Sequence, residues 1–460
     1  MPVLDRLAAR LSGTLVTDPA GLAPYRTDRS GWTTPEQPLA AVLAAGVADV
    51  QATMEFATAE RVPVVPRGAG TGLAGGAVGS AGSLVLDLSR MNRVLEIEAA
   101  DEIAVVEPGV VTDDLAAALA PHDLWWPPDP ASRAISTVGG NIATNAGGIL
   151  CAKYGVTRES VLGLQVVLAD GSLVRLGHRT VKGVTGYDLT ALMIGSEGTL
   201  GVVVEATLKL RRRGNDPVVT IGATFPTVEQ AARASAAITA TGLRPAALEL
   251  LDAACCEAID ALLAGTGDYP SLAGRGAFLL VQTDGPAAAE EARQAERLIL
   301  AAGGAAEVSA DAEQGERLLQ VRRSAHPAFV RLGEVLIEDV AVPRTALPAM
   351  FTAIEGISAK YGLPIPTLAH AGDGNLHPNI VIPADIPHAT GEIPDVVWEA
   401  ADEMFTAAIA LGGTLTGEHG VGVLKRRWLE RELGADVLGL SRRIKQVFDP
   451  LGILNPGKVF

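Results

Sequence analysis

The sequence predicts an α+β protein built from two main parts. The chain has 460 residues, more than the ~250–300 residues at which a single hydrophobic core usually stops growing. Short β-rich runs alternate with turns from residue 39 to 210, and longer strand and helix patterns follow the charged, turn-forming stretch "RRRGNDP" at 211–217. We therefore place the boundary between the two parts at 216/217.

In the first part, strands are predicted where apolar β-formers lie between glycine and proline turns. Asp170-Gly171 separates two apolar runs and predicts a hairpin. Helical patterns are predicted at 47–60 and 112–120, and Leu4, Leu7, Ala8 and Leu11 suggest a short amphipathic helix at the N-terminus. The predicted strand runs are "VPVVP" (62–66), "SLVLDLS" (83–89), "IAVVEPG" (103–109) and "GLQVVLADGSLVRL" (163–176).

In the second part, the runs "VVTIGATF", "AALELLD" and "AFLLVQTDG" predict strands, and the stretches between and after them predict helices. This βαββαβ-like order predicts a ferredoxin-like sandwich, a sheet with helices on one face. A helix is expected at 396–411, followed by "GGTLTGEHGVG" and another helical stretch.

Composition excludes several classes of protein. The formal net charge is −16 and the chain contains three cysteines. Nucleic-acid binders carry the opposite charge, and an odd cysteine count with two neighbours favours a reducing compartment. The N-terminus lacks the features of a secretory signal, and no uncharged apolar run reaches the ~18 residues of a transmembrane helix. We expect a cytoplasmic protein, with peripheral membrane attachment through an electron acceptor left open.

Three glycine-rich stretches in the first part predict a large phosphate-bearing cofactor. "PRGAGTGLAGGAVG" (66–79) follows a strand, but its glycines do not open a helix, so a nicotinamide site is disfavoured and an anion-binding nest is preferred over a flexible loop. "STVGGNIATNAGG" (136–148) has residues small enough to lie against a flat ligand. In "GSEGTLGVV" (195–203), Glu197 either binds a ribose hydroxyl or caps the turn.

These stretches, together with "TGYDL" (185–189), resemble the FAD-binding half of the vanillyl-alcohol oxidase/p-cresol methylhydroxylase flavoproteins. The resemblance implies a two-part FAD-binding domain, with the pyrophosphate on the first loop and the flavin against the second. Some relatives bond the flavin to a histidine, but residues 1–121 contain no histidine, so the FAD is expected to be noncovalent. The implied FAD contacts are Pro66, Arg67, Gly68, Ala69, Gly70, Thr71, Gly72, Ser136, Thr137, Gly139, Gly140, Asn141, Ala143, Thr144, Gly147, Tyr154, Glu197, Gly201, Val202 and Asn455.

Two histidines bracket a tight turn in "HAGDGNLHP" (370–378). If the flanking strands close as a hairpin, His370 approaches His377. "GEHG" (417–420) adds Glu418 and His419 on a backbone that glycines make irregular. Two histidines and a carboxylate suit a catalytic divalent metal, although hydrogen-bonded turn histidines explain the spacing equally well.

The second half resembles the FAD-linked 2-hydroxy-acid dehydrogenases, through "HAGDGNLHPNI", "GEHGVGVLKR" and "DPLGILNPGK". The resemblance implies that His370, His377 and Glu418 bind a divalent metal, Zn²⁺ or Mn²⁺ ahead of Fe²⁺. It also implies domains at 1–216 (FAD), 217–412 (ferredoxin-like cap, substrate) and 413–460 (a segment that returns to the FAD domain and completes the active site). The remaining implied roles are His419 as base, Arg322 as the grip on the substrate carboxylate, Asn379 as a substrate contact and Asn455 near the flavin.

The implied reaction is oxidation of a small D-2-hydroxy acid, D-lactate or glycolate, to the 2-keto acid, with hydride transfer to flavin N5. A D-2-hydroxyglutarate dehydrogenase is the alternative, but such enzymes carry a lysine where Ile337 and Glu338 stand in "EVLIEDVAVP". A noncatalytic FAD subunit that passes electrons in an oxidase complex would not need the histidine cluster, nor would a nucleotide-binding regulator. The electron acceptor (quinone, cytochrome, protein partner or oxygen) and the oligomeric state, including a homodimer, are left open.

Overall fold

A computed structural model describes residues 2–214, 216–265, 269–389 and 392–460. The chain divides into two compact units. The first unit comprises Met1–Gly148, Gly155–Arg213 and Glu418–Phe460, and the second comprises Ile149–Tyr154 and Gly214–Gly417. Within the described ranges, none of the helices combines the length and the apolar character that crossing a bilayer requires.

One sheet of the first unit has four strands, in the spatial order Thr14–Val16, Ala40–Leu43, Leu84–Asp87 and Val64–Arg67. The first pair is antiparallel and the other two pairs are parallel. Apolar side chains of the predicted helix, found at Val47–Glu60, pack in the same core as the inner strands. The C-terminal segment joins this sheet, because the Val64 N–H donates to the Ile453 carbonyl.

The other main sheet of the first unit is antiparallel, in the order Val94–Glu98, Ile103–Val106, Val202–Lys209, Val161–Val167 and Leu173–Gly177. Burial alternates along Val202–Lys209, as expected when one face packs on a core. The predicted hairpin at Asp170-Gly171 is confirmed by the pairing of the last two strands. Gly171 has a φ of +86°, which explains the glycine at this turn.

Smaller elements complete the first unit. The helix predicted at 112–120 is found at Thr112–Leu119, and the N-terminal helix ends at Ala8. A short two-stranded pair joins Leu124–Trp125 to Arg211–Arg212. The other helices of the unit are Pro19–Leu22, Val138–Thr144, Leu189–Met193 and Leu429–Phe448, with 3-10 turns at Ala23–Arg26, Ala120–His122, Thr157–Ser160 and Arg426–Trp428.

The second unit is built on one antiparallel sheet. Its first four strands in sequence lie in the spatial order four-one-three-two, which is the order of a ferredoxin-like sandwich, and the sheet then extends by further strands. Val340–Ala341 also pairs with Asn375–Ile382. The full spatial order is Ala305–Val308, Val218–Phe225, Ala277–Asp284, Ala247–Asp252, Thr367–His370, Asn375–Ile382 and Glu334–Ile337.

The helices of the second unit cover both faces of this sheet, so the expectation of helices on one face is wrong. Leu318 of one helix meets Gly222 on one face, whereas Ile299 and Phe225 meet around Gly304 on the other. Successive strand residues point to opposite faces of the sheet. Gly222 and Phe225 are three positions apart in one strand, so the two helices that contact them lie on opposite faces. The helices are Val228–Ala240, Ala253–Leu263, Ala288–Ala301, Ala312–Arg323, Ala325–Val330, Leu347–Tyr361, Asp395–Ala410 and the short Cys151–Tyr154, with a 3-10 turn at Arg344–Ala346.

Local sequence explains where several of these helices begin. The side chains of Thr227, Asp252 and Asp311 each accept a hydrogen bond from the backbone N–H three residues later. Each thereby pairs one of the N-terminal N–H groups that have no acceptor within the helix. Cys255 and Cys256 are buried in the helix that Asp252 caps. Burial raises the pKa of both thiols, so they are kept protonated.

Candidate active site

The two histidines of "HAGDGNLHP" lie in a hairpin. His370 ends strand Thr367–His370, and His377 lies in strand Asn375–Ile382. Leu368 pairs with His377 and His370 pairs with Asn375, so the two histidines are diagonal neighbours on one face. Their ring centroids are 5.1 Å apart, and both side chains are buried. A ring nitrogen of one lies within 4.8 Å of a ring nitrogen of the other, close enough for both to ligate one ion.

A buried carboxylate from the neighbouring strand orients His370. Glu249 pairs directly with His370 across the sheet, and its Oε1 lies 2.7 Å from His370 Nδ1. The other oxygen, Oε2, accepts a hydrogen bond of 2.7 Å from Arg322 Nε. Burial alone would raise the pKa of Glu249, but the charges of His370 and Arg322 outweigh it and leave that pKa below its ordinary value.

A second buried carboxylate stands beside His377. Asp339 Oδ1 is 3.8 Å from His377 Nδ1, and the Thr416 hydroxyl donates to Asp339 Oδ2. Neither Glu249 nor Asp339 is among the site residues predicted from the sequence. For Glu249 a signal was present, because it is a charged residue inside the apolar run "AALELLD". Asp339 lies in the acidic pair Glu338-Asp339 of the otherwise mostly apolar stretch "EVLIEDVAVP".

The predicted substrate contacts lie in the same unit as the hairpin. Asn379 is buried, and its Nδ2 donates to the carbonyls of Pro366 and His377. The amide oxygen is therefore the atom that Asn379 can offer to a ligand. Arg322 lies in the last turn of helix Ala312–Arg323 with its guanidinium mostly buried.

Asn375, in the same hairpin, has a side-chain amide that is not fully hydrogen-bonded. Its side chain is 7% exposed, and Oδ1 is buried without a hydrogen-bond partner among the described residues. Gly417 lies directly against it, since a Cβ on Gly417 would come 2.3 Å from that oxygen. Only glycine fits there, and a buried amide oxygen without a partner is a costly feature that a bound ligand can relieve.

Glu418 and His419 begin the C-terminal segment of the first unit. Glu418 Oε1 and His419 Nε2 are 3.9 Å apart. The next residues are held by Glu197, whose two carboxylate oxygens accept the N–H groups of Val421 and Gly422, each at 2.8 Å. Burial raises the pKa of Glu197, and these two N–H groups oppose that rise. Both oxygens of Glu197 are thus engaged by backbone of its own unit.

The first glycine-rich loop contains a series of backbone N–H groups that are not used within the described part of the protein. Among the described residues, no backbone N–H from Gly68 to Gly76 donates to a protein acceptor. Arg67, another of the implied FAD contacts, donates from its guanidinium to the carbonyls of Thr27, Ala77 and Pro24. Gly70 has a φ of +68° and lies directly over that guanidinium. Successive unpaired N–H groups are what an anion such as a pyrophosphate requires.

The second glycine-rich stretch is not a loop. Val138–Thr144 forms a short helix with Thr137 as its N-cap, and Asn145 ends it with a φ of +51°. Gly139 packs against Pro108, where a Cβ would lie 2.5 Å from the proline ring, so this glycine serves helix packing within the protein. Asn141 donates to the Thr112 hydroxyl and is likewise engaged internally.

Asn455 and Tyr154, both predicted to contact FAD, make specific protein contacts. Asn455 Nδ2 donates to the carbonyls of Gly76 and Glu197, so it ties the first loop to the third. The Tyr154 hydroxyl donates to Asp284 within the second unit. The other predicted FAD contacts all belong to the first unit.

Two family models match the chain. FAD linked oxidases, C-terminal domain, matches residues 215–459, and FAD binding domain matches residues 38–177. The first model alone covers more than half of the chain.

Several relatives are similar over most of their length. The glycolate oxidase subunit GlcD of Bacillus subtilis is 42% identical, over 90% of this chain and 87% of its own. The D-lactate dehydrogenase of Archaeoglobus fulgidus is 36% identical over 89% of each chain. The D-2-hydroxyglutarate dehydrogenase of Xanthomonas citri pv. viticola is 35% identical, over 97% of this chain and 94% of its own.

Among solved structures, p-cresol methylhydroxylase with bound substrate is similar, with a TM-score of 0.79. It is 17% identical to this chain, and the match covers 100% of this chain and 96% of that one. At this identity the likeness establishes the fold, and the predicted p-cresol methylhydroxylase type of architecture is confirmed.

Proposed function

The chain belongs to the family of FAD-linked oxidases, and we propose that it oxidises a small D-2-hydroxy acid, D-lactate or glycolate, to the 2-keto acid. The observation that carries the proposal is the buried hairpin pair His370 and His377, backed by Glu249 and Arg322. A hydroxy acid needs a site for its carboxylate and a way to lose its hydroxyl proton. A guanidinium next to two ligating imidazoles supports both requirements.

The donor set fits a divalent metal. His370 and His377 can each direct a ring nitrogen to one ion, and we propose Glu418 as the carboxylate ligand. Chain connectivity supports this choice, because Gly417 lies against Asn375 in the hairpin and consecutive Cα atoms are only about 3.8 Å apart. When bound, the metal would lower the pKa of the substrate hydroxyl and orient the substrate.

FAD fits the first unit. We propose that its pyrophosphate accepts the free N–H groups of Gly68–Gly76, while Glu197 and Asn455 hold the surrounding backbone in place. When bound, FAD supplies the acceptor for the hydride of the substrate α-carbon.

The chain's own residues perform the remaining tasks. Arg322 binds the substrate carboxylate with the guanidinium nitrogens that do not donate to Glu249. Asn379 presents its amide oxygen to the substrate. His419 removes the hydroxyl proton as the general base, a role for which an imidazole is suited. The buried hairpin excludes water, which strengthens each of these polar contacts.

Acidic neighbours favour a small monocarboxylate over 2-hydroxyglutarate. Glu338 and Asp339 are buried, and the Glu338 N–H donates to the Pro378 carbonyl of the hairpin. In the 2-hydroxyglutarate enzymes that this sequence resembles, a lysine stands where this chain has Ile337 and Glu338, so a second substrate carboxylate there would meet an acid instead of a cation.

The proposal is tested by adding D-lactate or glycolate to the FAD-loaded protein without oxygen. The flavin absorption band should bleach, and His419→Ala should keep FAD but bleach at least 100-fold more slowly, the scale of a lost general base. His122→Ala, which removes an exposed histidine of the same unit, is the control and should behave as wild type. Removing metal with a chelator should stop bleaching, and Mn²⁺ or Zn²⁺ should restore it.

Two results would contradict the proposal. Normal bleaching by His419→Ala would remove this residue from the base role. Full activity after metal removal, verified by elemental analysis, would exclude the metal from the reaction.

A further inference from the structure

We propose that Glu249 is a positioning residue that fixes His370 and Arg322 together, so that metal affinity and substrate-carboxylate affinity both depend on this one buried side chain. The inference rests on the proposed function, because it assigns His370 to the metal and Arg322 to the substrate. Glu249 itself is neither a proposed metal ligand nor a proposed substrate contact.

Glu249 is placed for this role by the sheet. It lies in the central strand Ala247–Asp252, opposite His370, and its side chain is 1% exposed. A glutamate at a fully buried strand position is costly unless its oxygens are paired. Here each oxygen has its own partner at 2.7 Å, His370 Nδ1 on one side and Arg322 Nε on the other.

The contact to His370 determines which ring nitrogen is available for a ligand. A carboxylate accepts hydrogen bonds only, so His370 Nδ1 must carry the proton. The lone pair is then on Nε2, which becomes the metal-binding atom. A carboxylate behind a ligating histidine also raises its basicity, and losing such a partner commonly weakens metal binding by about 10–100-fold.

The contact to Arg322 determines how the guanidinium is presented. Glu249 engages Nε, and the two terminal nitrogens have no partner among the described residues. These two nitrogens form the edge that binds a carboxylate in a bidentate manner. Glu249 therefore holds Arg322 by its inner edge and leaves the outer pair for the substrate.

Glu249→Gln separates this role from simple packing. The amide has nearly the same shape, but it offers one acceptor and one donor where both neighbours are donors. Either His370 or Arg322 must then face an N–H group, so the two sites compete for the single remaining oxygen. A residue that only filled space would tolerate this change.

The experiment measures Mn²⁺ binding to metal-stripped, FAD-loaded protein by calorimetry and by the electron paramagnetic resonance signal of free Mn²⁺. Glu249→Gln should weaken Mn²⁺ binding about 10–100-fold and also raise the KM for D-lactate, with FAD content unchanged. Arg322→Lys should raise the KM but leave Mn²⁺ affinity at the wild-type value. Glu334→Gln, which changes a half-exposed glutamate in the last strand of the same sheet, is the matched control and should change neither.

Mn²⁺ affinity also separates this inference from the proposed function. If His370→Ala abolishes Mn²⁺ binding and Glu249→Gln leaves it unchanged, the positioning role is overturned and the proposed metal site stands. If His370→Ala binds Mn²⁺ as tightly as wild type, the proposed metal site itself fails. If Glu249→Gln does not fold, Glu249→Asp is tested by the same measurement, because it keeps the charge but moves it back by one methylene. Weaker Mn²⁺ binding by Glu249→Asp supports the positioning role, and unchanged binding overturns it.

Discussion

Lys458 is a buried lysine in the C-terminal "NPGK" of the first unit. Its Nζ donates to the Val78 carbonyl and to Asn455 Oδ1, beside the first glycine-rich loop. Burial is the main cause that lowers the pKa of Lys458 to about 8, and Asp28 partly opposes that shift. The charged form is therefore disfavoured in the folded protein relative to the unfolded chain.

This shift predicts a pH dependence. Between pH 8 and the ordinary value of 10.5, the folded protein releases the Lys458 proton before the unfolded chain does. Stability due to Lys458 should therefore rise across this window. The free energy of unfolding of wild type minus that of Lys458→Met, measured by urea denaturation, should increase as pH rises from about 8 to 10.5.

Lys360 provides the control for this measurement. Its hydrogen bond to the exposed Glu403 raises the pKa of Lys360, so its contribution is present up to pH 10.5 and is lost only above it. The free energy of unfolding of wild type minus that of Lys360→Met should therefore stay constant between about pH 8 and 10.5. A flat difference for Lys458→Met as well would contradict the assigned pKa shift.

At the scale of elements, the hairpin that carries the histidines depends on its turn. Gly374 has a φ of +93°, and its carbonyl accepts the Val342 N–H at 3.0 Å. A Cβ at Gly374 would lie 2.1 Å from the Val342 carbonyl oxygen. Both the backbone conformation and the approach of a neighbouring chain segment therefore require glycine here.

Gly374→Ala should lower the free energy of unfolding by about 3 kcal/mol, because strain at positive φ and steric overlap each cost roughly 1–3 kcal/mol. Gly362→Ala is the matched control, since Gly362 has a φ of +67° but open space around it, and should cost only about 1 kcal/mol. Urea denaturation measures both changes. Equal losses in the two variants would show that the Val342 contact is unimportant.

At the scale of the whole molecule, the chain passes between the two units more than once. The segment Ile149–Tyr154 belongs to the second unit although the residues on both sides of it belong to the first. Asp284 anchors this segment, because Lys153 Nζ donates to the Asp284 carbonyl at 3.0 Å and pairs with its carboxylate, which also accepts from Tyr154.

Asp284→Ala should release this segment from the second unit. Hydrogen exchange of the peptide 149–154, followed by mass spectrometry, should speed up, because Tyr154 and Lys153 both lose the carboxylate and only the carbonyl contact of Lys153 remains. Glu290→Ala, which removes an exposed ion pair with Arg293, is the control and should leave that peptide unchanged. Unchanged exchange in Asp284→Ala would mean that packing alone holds the segment.

Most of the helices and strands, and the family, could be predicted from the sequence. Strands such as Ala277–Asp284 and helices such as Val47–Glu60 follow from residue periodicity, which is a local property of the chain. The hairpin and the approach of its two histidines were also predictable, because a short turn brings neighbouring runs together. The helix at Val138–Thr144 was missed, since glycine-rich segments are poor helix formers and tertiary packing had to stabilise it.

The residues that support the two histidines, and the faces on which the helices of the second unit lie, could not be predicted without the folded structure. Glu249 and His370 are 121 residues apart in sequence, and no local pattern couples them. They meet because strands from distant parts of the chain pair in one sheet, and strand order depends on the burial of the whole core. Pairing between strands that are far apart in sequence cannot be predicted from a local residue pattern. It also placed Asp339 beside His377 and allowed helices to cover both faces of the sheet.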